Sequence, residues 1–240
     1  HRGGLTRPLQ PRHQQHGWRL GSQIQRFIGL PHHGNQLGLN YLDEGLPGAK
    51  ALAHLLTDGS LLDPDVFLDT HTTNGSDHQF TVTLIATQPE QMHPEMEKFF
   101  REKMLRDLYD RMKEEHKNEM VPYVQYTERG EIKAITGFEE QAYYSTGYAA
   151  LFNSFGFMTE TLVYKPYNER VIGTFQLITE LVRFASLNSR EIIRLRADAN
   201  RHTLDAKEFV IDWEQDTTRW DMLDFRGYRY EETTTPITGR

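Results

Sequence analysis

The sequence predicts an α/β fold, and two observations carry that reading. Short apolar runs at Val66-Phe67-Leu68 and Phe155-Gly156-Phe157-Met158 each stop in polar, chemistry-bearing residues, as buried sheet strands do. Around them lie stretches whose apolar residues recur every three or four positions, the spacing of helices. Strands alternating with helices read as crossover units of one sheet.

Composition sets the bounds. The chain has 240 residues, enough for one sizeable domain or one and a half. Hydrophobic residues make up 38% and charged residues 25%, the balance of a globular rather than a disordered chain. A net charge of -7 argues against nucleic acid held through phosphate contacts. Cysteine is absent, which excludes disulfides and thiolate metal sites and leaves the compartment open. No apolar run approaches the roughly 20 residues that cross a bilayer. The chain opens at His1 without a methionine, so it reads as a segment of a longer protein, incomplete at its front.

Residues 1–34 read as an irregular N-terminal segment, rich in Arg, Gln, His, Gly and Pro and without a sustained period. His13, His16, His32 and His33 match neither helical nor zinc-finger ligand spacing, so they read as ordinary surface histidines. From Pro47 to Leu56, Ala49, Leu52, Ala53 and Leu56 fall at helical spacing, with Pro47 in the first turn and Gly59 past the end. This reads as a crossover helix feeding the strand at Val66 after the turn Asp63-Pro64-Asp65. Asn74-Gly75 then turns the chain, and Phe80 to Leu84 alternates as a further strand.

Residues 90–119 read as one charged helix with the stripe Met92, Met96, Phe99, Phe100, Met104 and Leu108. Its His116-Lys117-Asn118-Glu119 has His-X-X-Glu spacing, but the polar surroundings read as a solvated helix end. Tyr123 to Tyr126 suggests a short strand, with a turn at Arg129-Gly130. Gly137 to Tyr148 reads as a Tyr- and Gly-rich loop of the kind that lines clefts. Glu169 to Leu187 predicts a helix with the stripe Val171, Phe175, Ile178, Leu181 and Val182, capped by Asn188. Residues 190–200 continue helical. Alternation at Phe209, Val210, Ile211, Trp213, Phe225, Gly227, Tyr228 and Tyr230 predicts the start of a β-rich extension over 201–240.

The candidate chemistry sits at two strand ends. Asp69 and His71 are two apart, so on an extended chain they point the same way. A carboxylate beside an imidazole can orient the ring and fix its tautomer, as around a metal ligand. It can equally be a strand-end histidine satisfied by loop carbonyls. The second apolar run ends in the single carboxylate Glu160, and two such strands imply a shared site at one sheet edge.

Asp69-Thr70-His71-Thr72-Thr73-Asn74-Gly75-Ser76 and Glu160-Thr161-Leu162-Val163-Tyr164-Lys165-Pro166-Tyr167, followed by Arg170-Val171, together resemble the zinc carboxypeptidase (M14-type metallocarboxypeptidase) family. The likeness runs from about residue 35 onward, and residues 35–200 would be its α/β domain. It implies a three-layer α/β/α arrangement with a mixed, mostly parallel sheet. It implies zinc as cofactor and a peptide as substrate, cleaved at its C-terminal bond. His71 would be the third zinc ligand, Asp69 its orienting partner, and Glu160 the general base. Zinc lowers the pKa of a bound water to about 7, which supplies the nucleophile. Tyr148 lies near the position from which the family draws a substrate-contacting tyrosine, and Arg170 could neutralise the substrate carboxylate or pair with Glu169 or Asp205 on the surface.

The departures matter as much. Gly38-Leu39-Asn40 is followed by Tyr41-Leu42-Asp43, where the family carries an Asn-Arg pair, and Asn153-Ser154 stands where relatives carry Asn-Arg. Arg19, in Gly17-Trp18-Arg19, matches an upstream family position with no role assigned. No His-X-X-Glu occurs in residues 1–70, so two of three zinc ligands are missing. Either an absent N-terminal part brings them, or the chain is a short relative that cannot hold zinc and is inactive alone. Two rivals remain: a non-catalytic peptide- or glycan-binding module, and a zinc amide or acyl-amino-acid hydrolase on the same fold. The compartment is unknown, with export to a periplasmic or extracellular location favoured.

Overall fold

A computed structural model describes residues 63–73, 77–123, 141–142 and 144–209, the backbone of 27–31, 125–126 and 135–136, and positions 213, 216, 218, 222–226 and 236–237. The fold is α/β. Strands β1 (Phe27–Pro31), β2 (Val66–Thr73), β3 (Val82–Ala86), β4 (Val121–Pro122) and β7 (Phe155–Leu162) form one sheet in the order β1-β2-β7-β3-β4. Three of the four pairings are parallel, and only β7–β3 is antiparallel. A separate two-stranded ribbon joins β5 (Gln125–Tyr126) to β6 (Ile135–Thr136). Since Phe27–Pro31 pairs with β2, the expected irregular segment 1–34 contains a sheet strand. Its apolar run is too short to stand out by period, and only the neighbouring strand selects it.

The period of two sorts the strands between two cores. Val66, Leu68, Val82, Leu84, Phe155 and Phe157 join the larger cluster, while Phe67 turns the other way onto Ala149 and Phe152. All eight residues of β7 are buried, as a strand covered on both faces requires.

The larger cluster is closed by helices. The first, α1, is built of Pro94–Phe99, a π-wound turn Phe100–Leu105, and Arg106–Glu114. It is shorter than the expected 90–119, but every residue of the expected stripe is buried, and Met112 and Met120 extend the core beyond it. Met96, Phe100, Met104, Leu108 and Met112 repeat every fourth residue, which outruns an α-helical turn by about 40° per step. The wider turn at Phe100–Leu105 takes back part of that drift and keeps the later side chains on the core.

Helix α2 (Ser145–Ala150) replaces the expected loop around Tyr148. Helix α3 (Tyr167–Leu187) forms as expected and is capped by Asn188, whose backbone and side-chain N–H groups both donate to the Phe184 carbonyl. Its buried stripe differs, however. Gly173, Leu177, Glu180, Leu181 and Phe184 face inward, whereas Val171 and Phe175 are 47% and 68% exposed. Gly173 sets this rotation, because a Cβ there would lie 2.8 Å from Val82 Cγ2, so only a glycine permits so close an approach. Helix α4 (Ser189–Asp205) follows.

The expected crossover helix over 47–56 and the turns at Asn74-Gly75 and Arg129-Gly130 lie outside the described residues. So do Val210, Ile211, Gly227, Tyr228 and Tyr230 of the expected β extension; among the described residues after Asp205 none is in a strand. Among the described residues, no helix is long and apolar enough to cross a membrane.

Candidate functional site

The pairing of β2 with β7 builds the site. The parallel register runs from Val66↔Phe155 to Thr73↔Leu162 and places His71 opposite Glu160. Odd positions of β2 and even positions of β7 share one sheet face, the face of Phe67. Asp69, His71 and Glu160 therefore stand together near the carboxyl ends of two parallel strands, where α/β sheets bind their ligands.

Side-chain hydroxyls lock this register. Thr161 Oγ1 donates to the His71 carbonyl at 3.1 Å, and Thr83 Oγ1 donates to the Glu160 carbonyl at 3.1 Å. Behind the site, Gly156 lets α2 lie against β7. A Cβ there would be 2.5 Å from Thr87 Oγ1 and 3.1 Å from Thr146 Cα. Thr87 Oγ1 in turn donates to the Thr146 carbonyl at 2.9 Å and accepts from Gly156 N–H at 3.2 Å.

His71 Nε2 lies 3.0 Å from Asp69 Oδ2, and His71 Nδ1 lies 3.9 Å from Glu160 Oε1. All three residues are buried, at 0% exposure for Asp69, 8% for His71 and 9% for Glu160. Burial lowers the His71 pKa, but the Asp69 carboxylate 3.0 Å away, helped by the Glu160 charge, outweighs it and holds the imidazole above its ordinary value. Glu160 is pushed up to about 7, chiefly by burial; the Asp69 charge adds to this and His71 opposes it. The carboxyl is thus poised to hold or release a proton near neutrality. Both Asp69 carboxylate oxygens and Glu160 Oε2 are buried with no hydrogen-bond partner among the described residues. Such oxygens call for a proton, a water or a cation.

As a metal site the arrangement fits one ligand position. Asp69 Oδ2 lies against one ring nitrogen and Glu160 faces Nδ1, the relation in which a carboxylate orients a metal-bound imidazole. Among the described residues, no group of three or more His, Asp or Glu converges to hold an ion, whereas catalytic zinc takes three protein ligands.

The other expected site residues lie elsewhere. Tyr148 packs edge-on against Phe152, ring centroids 5.2 Å apart, in the cluster around Phe67. That is the site's own sheet face, but four residues back along β2, about 13 Å at the strand rise. Arg170 donates from Nε to the Lys165 carbonyl at 3.1 Å and lies over the Tyr167 ring, tying down the start of α3. Helix α3 packs on the larger cluster, the face opposite His71. Among the described residues, Arg170 pairs with neither Glu169 nor Asp205, its guanidinium going to the Lys165 carbonyl and the Tyr167 ring.

His116 and Glu119 do not converge: His116 Nε2 is 2.8 Å from Glu180 Oε1, and Lys113 Nζ is 2.5 Å from Glu119 Oε1. Glu180 also accepts from Arg111 and Arg183, and these bonds, against the cost of burial, hold its carboxyl down at about 2. Ser154 donates to the Pro64 carbonyl at 2.6 Å. The sequence reading missed Arg196, buried on α4, which donates to the Phe152 and Asp63 carbonyls and to the carboxylates of Asp63 and Asp65. The signal was a charge on the apolar face Ile192, Leu195 and Ala199.

Compared with protein-family models, with curated proteins and with solved structures, the chain finds no match in any of the three. Fold and site alone define its class: an α/β protein with a buried Asp-His-Glu cluster at the ends of two parallel strands.

Proposed function

We propose that this chain carries part of a hydrolase site of the zinc carboxypeptidase kind, on a three-layer α/β/α architecture, directed at C-terminal peptide bonds. The observation that supports it is the shared rung of His71 and Glu160. His71 would hold zinc through Nδ1, with Asp69 fixing its ring. Zinc, when bound, supplies a water acidic enough to act as nucleophile near pH 7. Glu160, with a carboxyl near 7, takes a proton at Oε1 or Oε2 and returns it to the leaving amine. Burial around both groups excludes bulk water and strengthens each electrostatic contact. Arg170 is proposed to meet a substrate that extends past the strand ends, and Tyr148 one that runs back along the sheet face toward Phe67.

With one ligand in place, this chain alone is expected to bind zinc weakly and to show negligible peptidase activity. Zinc titration by calorimetry tests this. Weak binding that disappears in His71→Ala fits the proposal. Binding that His71→Ala leaves unchanged removes the metal role of this residue, and sub-micromolar stoichiometric binding lost in His71→Ala overturns the expectation of weakness.

A further inference from the structure

The loop between β2 and β3 grips another part of the chain through its peptide groups. Gln79 Nε2 donates to the Asp224 carbonyl at 2.6 Å, and Gln79 Oε1 accepts from the Arg226 N–H at 2.7 Å. In an extended chain the residues on either side of one position point their peptide groups the same way. One side-chain amide thus plays the part of a neighbouring strand's peptide unit, donating to one residue and accepting from the next but one. Between those two bonds stands Phe225. Its ring lies 5.7 Å from His78 and 6.3 Å from Phe80, and His78 and Phe80 are 5.8 Å apart. Burial and the Lys165 charge hold the His78 imidazole below its ordinary pKa, which favours the uncharged ring.

The grip reads main chain and one aromatic ring and leaves the flanking side chains free. Asp224 and Arg226 are exposed, and Met222 is fully so. Both hydrogen bonds are themselves exposed to solvent. The place is also specific within the sheet: Leu162 N–H donates to the Thr81 carbonyl at 3.0 Å, so the grip sits at the end of the strand that carries Glu160.

We propose that His78, Gln79 and Phe80 form a clamp for an extended peptide with a central aromatic side chain, and that Asp224-Phe225-Arg226 occupies it as a releasable strap. The clamp needs neither zinc nor Glu160, so it stands or falls apart from the hydrolase reading.

The test uses the full chain and a labelled synthetic peptide with the sequence of residues 220–229, followed by fluorescence anisotropy. Phe225→Ala removes the strap's ring from between His78 and Phe80, so the strap is displaced more easily and the chain is expected to bind the peptide at least ten-fold more tightly than the natural chain. The double variant Phe225→Ala with Gln79→Ala is expected to lose that binding. Equal binding by the natural chain and Phe225→Ala, no binding by Phe225→Ala, or binding retained in the double variant each overturns the proposal. Hydrogen exchange gives a second reading independent of Phe225→Ala. In Gln79→Ala the Arg226 amide is expected to exchange at least ten-fold faster while β7 amides keep their rates. An unchanged Arg226 rate, or Arg226 and β7 accelerating together, overturns the strap.

Discussion

His71 and Glu160 are direct partners across the parallel pairing of β2 with β7, and their side chains lie 3.9 Å apart on one buried sheet face. An imidazole held above its usual pKa thus faces a carboxyl raised to about 7, so the two titrate as a pair.

This pair makes stability fall as pH rises. Glu160 has its folded pKa raised, so its contribution is complete below the ordinary 4.5 and is lost as pH climbs through about 7. His71 is also raised, so its contribution is complete below 6.5 and is lost above that, in the same direction. Glu160→Gln removes the buried charge without changing shape. It is expected to be more stable than the natural chain by about 1–3 kcal/mol at pH 8, with the gain gone by pH 4.5. Urea unfolding at the two pH values checks this; an equal effect at both would show that Glu160 does not titrate in this range.

Asp69 is what keeps His71 protonatable. Burial alone pulls the imidazole down, and the adjacent Asp69 carboxylate is the largest opposing cause. Asp69→Asn is therefore expected to drop His71 below 6.5, read by NMR titration of its ring protons. An unmoved His71 would mean that Glu160 carries the shift instead.

Gly156→Ala would press a methyl group against Thr87 Oγ1 and the Thr146 backbone. Thr87 cannot swing away, because its hydroxyl bonds both Thr146 and Gly156. A loss of about 1–3 kcal/mol is expected in urea unfolding. No loss would show that α2 does not rest on β7 as described.

Arg196→Ala would leave the buried Asp65 carboxylate and Phe152 carbonyl, and the half-buried Asp63 carboxylate, without this donor. The expected cost is about 3–5 kcal/mol in chemical denaturation. A cost under about 1 kcal/mol would mark the cluster as solvated and weak.

Several elements were legible in the sequence for stated reasons. The run Val66-Phe67-Leu68 and the stripe from Met92 to Leu108 announce themselves because burial on a strand or helix leaves a period. The face of α3 was not legible. Its apolar residues surround much of the helix, and the choice fell to Gly173, a residue with no hydropathy signal, through its fit against Val82. Edge strand β1 and helix α2 were missed for a related reason: each is short, and packing decides it rather than pattern.

By itself the sequence determined which residue types end the two central strands, since a period of two puts Asp69 beside His71 on any extended chain. Only the tertiary structure decided that Glu160 faces them. A one-residue slip of β7 against β2 would send Glu160 to the opposite face. The register that prevents it comes from Phe155 and Phe157 packing on α1, and from the Thr161 hydroxyl bound to the His71 carbonyl.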